Sequence, residues 1–215
     1  FLKNDSTAFN YLESNKFKEI LAGSCIHISS VTEKKAKFYV ERLFVSESSS
    51  NIFDEIVDEI FEKKLFLLSD HAGEGKSTSF KNFWVKLKKK FPWKWIEYVD
   101  LKKHIEAFKV AKTLELNDQD VLVNFLRQNL LNLTQFESEV FDGADEIFPQ
   151  FKDLMINLAS NIERLTENCQ FISTRPLYSE DFAYELNVDP HKLLPFDKTQ
   201  RFELLVKFVV SNNLN

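Results

Sequence analysis

Apolar strand patterns that alternate with amphipathic helical ones predict an α/β protein built on a central, mostly parallel sheet of about five strands. Three observations carry this expectation. The run Leu65-Phe66-Leu67-Leu68 is uniformly apolar, as a strand covered on both faces requires. Small and polar residues follow it at once, and then a helical stripe of Phe80, Phe83, Trp84 and Leu87, which reads as core. Two further short strands, one ending at Asp142 and one at Thr174, are separated by another helical stretch.

The elements follow in order. Residues 6–21 carry Phe9, Leu12, Phe17, Ile20 and Leu21 behind the capping candidates Asp5 and Ser6, an irregular amphipathic helix. Lys37 to Val45 looks extended, and Ser46 to Ser50 is a short polar linker. Residues 1–50 are therefore expected to form a helical and extended lead-in, residues 51–197 the α/β domain, and residues 198–215 the start of a following helical subdomain. Ser50 can cap a helix whose Ile52, Phe53, Ile56, Val57, Ile60 and Phe61 recur at helical spacing. After the strand at 65–68, Ser77 opens the next helix, and Trp95 to Val99 forms a second strand. Asn117 and Asp118 start a helix through Leu130; a third bears Phe151, Leu154, Met155, Leu158, Ile162 and Leu165. Leu193-Leu194 reads as a last short strand, and Asp197 with Gln200 as a capping pair for the last helix.

The stretch from Ser69 to Thr78 reads as a phosphate-binding loop, because glycines after a buried strand let several backbone N–H groups face one anion. Lys76 would then meet the β- and γ-phosphates, and the Ser77 hydroxyl a Mg²⁺ ion. The common pattern has glycine where this chain has Asp70, so an ordinary strand-to-helix turn stays open as a reading. Glycine usage favours the loop: the chain has only 4 Gly, and Gly73 and Gly75 both fall here.

Val140-Phe141-Asp142-Gly143-Ala144-Asp145-Glu146 is the second informative stretch. In P-loop enzymes an acid at the end of a neighbouring strand supports the metal, and one just beyond it polarises the attacking water. Asp142 fits the first role and Glu146 or Asp145 the second, against the blander reading of an acidic turn bent at Gly143. Only Val140 and Phe141 precede Asp142 as apolar residues, so either strand residues are missing between about 132 and 140, the favoured reading, or this strand is degenerate and without hydrolytic function. The third piece, Cys169 to Pro176, is a short strand with Arg175 at its tip. Open α/β sheets place ligands beyond the carboxyl ends of their strands, so Arg175 would face the same crevice, unless it is simply a solvated loop residue.

Together these pieces resemble the NACHT class of signal-transduction P-loop ATPases, the STAND-type NTPases of innate-immune and cell-death receptors, over about residues 50 to 210. Ala72-Gly73-Glu74-Gly75-Lys76-Ser77-Thr78 stands as Walker A, Phe141 to Glu146 as the acidic Walker B signature, and Ser173-Thr174-Arg175-Pro176 as the sensor strand. The resemblance implies a three-layer P-loop NTPase fold with an extra strand between the P-loop strand and the acidic one. It also implies nucleotide binding by Gly73 to Thr78, metal support from Ser77 and Asp142, hydrolysis aided by Glu146 with Asp145, and γ-phosphate sensing by Arg175. Leu43 to Val45 would line the adenine pocket or else pack against the domain.

Composition bounds the rest. A hydrophobic content of 44% with 22 Phe supplies one large core. A net charge of −5 argues against nonspecific nucleic-acid binding, although Lys86, Lys88, Lys89, Lys90 and Lys94 form a local basic run. Two cysteines cannot build a disulfide framework, which points to the cytoplasm, and no apolar run reaches membrane-spanning length. His27, His71, His104 and His191 lack zinc-site spacing. Two functions stand. One is a switch that binds ATP or GTP with Mg²⁺, hydrolyses it slowly, and acts through other domains of a longer chain, protein partners or self-association. The other is a non-hydrolysing interaction scaffold whose P-loop is vestigial or binds without turnover.

Overall fold

The computed structural model describes residues 39–46, 50–51, 55–57, 64–91, 94, 96–114, 125, 138–165 and 169–213. A hairpin of β1 (Phe44–Val45) and β2 (Ser50–Asn51) leads into β3 (Leu65–Ser69) and α1 (Lys76–Lys90). Then come β4 (Ile96–Asp100), a 3₁₀ turn at Leu101–His104, and α2 (Ile105–Thr113). β5 (Ser138–Asp142) runs into α3 (Ala144–Leu165), and β6 (Cys169–Thr174) into α4 (Pro176–Leu186). β7 (Pro190–Leu193) and α5 (Lys198–Asn213) follow.

The strands form one seven-stranded sheet in the order β2-β1-β7-β3-β6-β5-β4. β7, β3, β6, β5 and β4 are mutually parallel, and β1 joins β7 antiparallel. The protein is thus α/β with a mostly parallel sheet, and β6 lies between β3 and β5, the place the resemblance implies for an extra strand. Every residue of β3 and β6 is buried; Leu65 to Leu68 of β3 read accordingly as an apolar run, whereas β6 buries the polar Gln170, Ser173 and Thr174 beside Cys169, Phe171 and Ile172. Alternation splits β3 between two cores. Leu65 and Leu67 face a cluster with Val99, Phe141, Ile172 and residues of α2, α3 and α4; Phe66 and Leu68 face Phe80, Phe83, Trp84 and Leu87 of α1. Helices therefore cover both faces.

Several boundaries differ from the sequence expectation. Ser50 is a strand residue paired with Val45, not a helix cap; residues 55–57 are helical, with Ile56 and Val57 buried. α1 begins at Lys76, one residue before Ser77. The last strand is Pro190–Leu193 and excludes Leu194. Ser138 and Glu139 complete β5 by pairing with β4 and β6, so this strand reaches full length as the sequence stands. α3 starts directly after Gly143, which puts Asp145 and Glu146 in its first turn, and it kinks at Phe151 (φ −133°, ψ 30°) just after Pro149. α2 was not anticipated. The helices expected at 6–21 and 117–130 lie outside the described residues, apart from helical residue 125.

The capping pair holds as expected. Gln200 N–H donates to Asp197 Oδ1 at 2.8 Å and Asp197 N–H to Gln200 Oε1 at 3.0 Å, a reciprocal box that starts α5. α5 meets the body through Gln200 Nε2 to the Glu41 carbonyl and Lys207 Nζ to the Tyr39 carbonyl, while Phe202, Leu205, Val206 and Val209 are exposed. Among the described residues no helix is long and apolar enough to cross a membrane.

Phe83 is fully buried, with ring centroids of Phe44 at 4.9 Å, Phe66 at 5.9 Å and Phe171 at 6.0 Å. Phe83→Ala is expected to lower unfolding stability by about 3–5 kcal/mol, read as a lower urea midpoint at unchanged slope. An unshifted midpoint would show that α1 does not hold the sheet in this way.

Candidate functional site

β3 delivers the chain to a loop whose start is held by Asp70. Its Oδ1 accepts from the His71 N–H (2.8 Å), its Oδ2 from the Leu193 N–H (3.0 Å), and its own N–H donates to the Thr174 carbonyl (3.2 Å). The side chain thus ties the loop to β7 while the backbone ties it to β6. Among the described residues positive φ occurs outside glycine only at Lys64 and Asn187, so position 70 imposes no demand for glycine. Gly73 (φ 87°) and Gly75 (φ 96°) do adopt the left-handed region and make the bend.

Gly75 is also the N-cap of α1, and no side chain caps this helix. The first-turn N–H groups of Lys76, Ser77 and Thr78 lack intrahelical partners and sit at the positive end of the helix dipole. The Lys76 ammonium folds over the loop and donates to the carbonyls of Asp70 (2.5 Å) and His71 (2.9 Å). Burial pulls its pKa down, and Asp145, Asp70 and Asp142 oppose that pull.

The acidic turn assembles beside it. Asp142, at the end of β5, is buried; its Oδ1 accepts from the Ser173 hydroxyl (2.6 Å) and its Oδ2 from the Tyr98 hydroxyl. Ser173 Oγ in turn accepts from the Gly143 N–H at 2.9 Å. Asp145 pairs with Arg175 Nε at 2.7 Å, and Glu146 with the Lys102 ammonium at 3.0 Å. Burial raises the Asp145 pKa, while Arg175 and then Lys76 act to lower it.

These groups share one cavity of about 350 Å³. Gly73, Gly75, Lys76, Ser77 and Thr78 line one side, Asp142, Asp145, Glu146 and Arg175 the other. Residues far apart in sequence converge as expected from the parallel strand order. Glu74 is the exception: it lines a neighbouring cavity of about 450 Å³ with Tyr39, Val40, Arg42, Phe196 and Arg201. Gly73, Gly75 and Thr78 line both cavities, so the glycine turn is the ridge between them. Leu43 to Val45 do not line either. Phe44 is wholly buried between Phe66 and Phe83, so the packing alternative describes this segment, and Tyr39, Val40 and Arg42 reach the loop instead.

Compared with known proteins, the chain matches no family model and no curated protein sequence.

Sequence reasoning missed three residues here. Arg42 donates through Nε and Nη2 to the Leu194 carbonyl (3.0 and 2.7 Å) and through Nη1 to the Glu74 carbonyl (3.2 Å), with its guanidinium 4.2 Å from the Phe196 ring centroid. Tyr98 and Ser173 grip Asp142. Ser173 lay inside a stretch already singled out, whereas Tyr98 and Arg42 sit in ordinary strand and lead-in sequence with no local signal.

Arg175→Ala removes the cation nearest the Asp145 carboxylate. The Asp145 carboxyl is expected to titrate at still higher pH in this variant, measured by ¹³C carboxyl NMR, because losing a nearby positive charge disfavours the anion. An unmoved or lower titration midpoint would mean that the ion pair is not formed in solution.

Proposed function

We propose that this chain binds a nucleoside triphosphate with Mg²⁺ and acts as a nucleotide-dependent switch of the NACHT-like STAND type, a slow triphosphatase or binding-only module. The observation that carries the reading is the meeting of the Gly73–Thr78 turn, Asp142, the Asp145–Glu146 pair and Arg175 at one cavity on the carboxyl edge of a parallel sheet. The free first-turn N–H groups of α1 and the Lys76 ammonium supply an anion cradle of this kind. The larger neighbouring cavity, flanked by Tyr39, Arg42 and Phe196, has the apolar and hydrogen-bonding character a nucleoside needs.

Among the described residues no group of three or more His, Cys, Asp or Glu side chains is placed to hold a metal by itself. The donor set of Ser77 and Asp142 instead fits Mg²⁺, which keeps waters and takes oxygens from phosphate as well as protein. Bound there, the ion would supply charge neutralisation at the phosphate oxygens. Lys76 would exchange its two loop carbonyls for phosphate oxygens. Arg175, half exposed at the rim, would turn from Asp145 toward the terminal phosphate and leave Asp145 or Glu146 to orient water.

A specific observation also favours the binding-only reading. Both acids that would orient water are engaged, Asp145 by Arg175 and Glu146 by Lys102. In either case the exposed Phe202, Leu205, Val206 and Val209 of α5 support action through protein contacts, with other domains of a longer chain or with a partner. A chain with only two cysteines is in keeping with a cytoplasmic setting.

Two measurements test these readings. Lys76→Ala is expected to weaken binding of a fluorescent ATP analogue at least about tenfold with an unchanged circular dichroism spectrum. Equal binding by parent and variant would remove the loop from the function. Asp145→Asn combined with Glu146→Gln is expected to keep binding and abolish phosphate release, since a water-orienting acid acts on the transition state. Absence of release from the parent protein would select the binding-only module.

A further inference from the structure

The Asp142 carboxylate is buried, and a charge in that position needs directed donors. Two hydroxyls supply them from the flanking strands. Ser173 of β6 donates to Oδ1 at 2.6 Å, and because its oxygen accepts from the Gly143 N–H, its proton is committed to the carboxylate. Tyr98 of β4 donates to Oδ2. In the parallel register Tyr98 stands opposite Val140, so its ring reaches forward along the sheet to the strand end. That ring is braced by α1: the Trp84 ring centroid is 6.0 Å away, with Trp84 anchored through Nε1 to the Ile96 carbonyl (3.1 Å), and Lys81 Nζ lies 5.7 Å from the Tyr98 ring centroid.

We propose that Tyr98 is a positioning residue for the divalent cation: together with Ser173 it locks the plane of the Asp142 carboxylate so that its remaining lone pairs face the Ser77 side of the cavity. This rests on the reading of the cavity as a nucleotide and Mg²⁺ site. Each carboxylate oxygen can accept about two hydrogen bonds, so one hydroxyl on each oxygen fixes orientation and still leaves an acceptor site on each for metal-bound water. Loss of such a supporting contact costs about 10–100-fold in metal affinity where it has been measured in metal sites.

The test uses the whole chain and a fluorescent ATP analogue titrated at increasing Mg²⁺ concentration and again in EDTA. Tyr98→Phe is expected to raise the Mg²⁺ concentration needed for half-maximal enhancement about tenfold or more, leave metal-free affinity within about twofold, and add nothing in an Asp142→Asn background. A wild-type Mg²⁺ dependence in Tyr98→Phe, or the same shift in the Asp142→Asn background, overturns the positioning role while nucleotide binding stands. A parent protein that binds no analogue with Mg²⁺ overturns both readings together. Should Tyr98→Phe fail to fold, Ser173→Ala removes the other hydroxyl from the same carboxylate and must give the same signature; a wild-type Mg²⁺ dependence there is equally fatal.

Discussion

Parallel pairing of β6 between β3 and β5 is the constraint from which the rest of the structure follows. The register sets Ser69 beside Thr174 and Phe141 beside Ile172, so the chain leaves all three strands at one edge of the sheet. The loop at 70–75, the acidic turn at 142–146 and the Arg175 tip then have no choice but to face one another. What holds the register is burial: β3 and β6 are covered on both faces, and slipping either strand by one residue would exchange its two apolar sets between the two cores.

Placing three strand ends together also concentrates charge. Asp70, Asp142 and Asp145 are all largely buried around one ammonium, Lys76, and each is satisfied by a different chemistry. Backbone N–H groups take Asp70, hydroxyls take Asp142, and a guanidinium takes Asp145. The guanidinium of Arg175 sits on the rim, with half its side chain in water. The Asp70 and Asp142 contacts are therefore structural fixtures of the sheet edge, whereas the Arg175 pair can open without unfolding anything.

Arg42 connects this edge to the flank of the domain. One guanidinium joins the Glu74 carbonyl of the glycine turn to the Leu194 carbonyl before α5 and stacks on Phe196. Such a bracket is geometrically specific, because the planar fork serves two carbonyls and a ring at once, which an ammonium does not reproduce. A shift of the turn would be felt in the connector to α5, the helix that exposes Phe202, Leu205 and Val209. Arg42 thus lines the cavity beside the glycine turn and also holds the connector to α5.

From the sequence alone came the α/β class, the Leu65–Leu68 strand, the buried Phe80-Phe83-Trp84-Leu87 face, the Asp197–Gln200 box and the convergence of Lys76, Asp142 and Arg175. Each depends on local pattern: an apolar run, a helical period, a reciprocal spacing, or the rule that parallel strands end at one edge. Elements whose pattern is diluted were less legible. α2 buries only Phe108 and Ala111 among charged neighbours, and β5 takes in Ser138 and Glu139 because two partner strands pair with them regardless of side-chain character. Ser50 had the composition of a cap, but its backbone bonds went to Val45. Contacts between residues distant in sequence were decided only by tertiary structure: Tyr98 on Asp142, Arg42 on Glu74 and Leu194, and Asp70 on Leu193. No local spacing encodes them, because a side chain that reaches across strands is placed by the register of its strand and not by its neighbours in the chain.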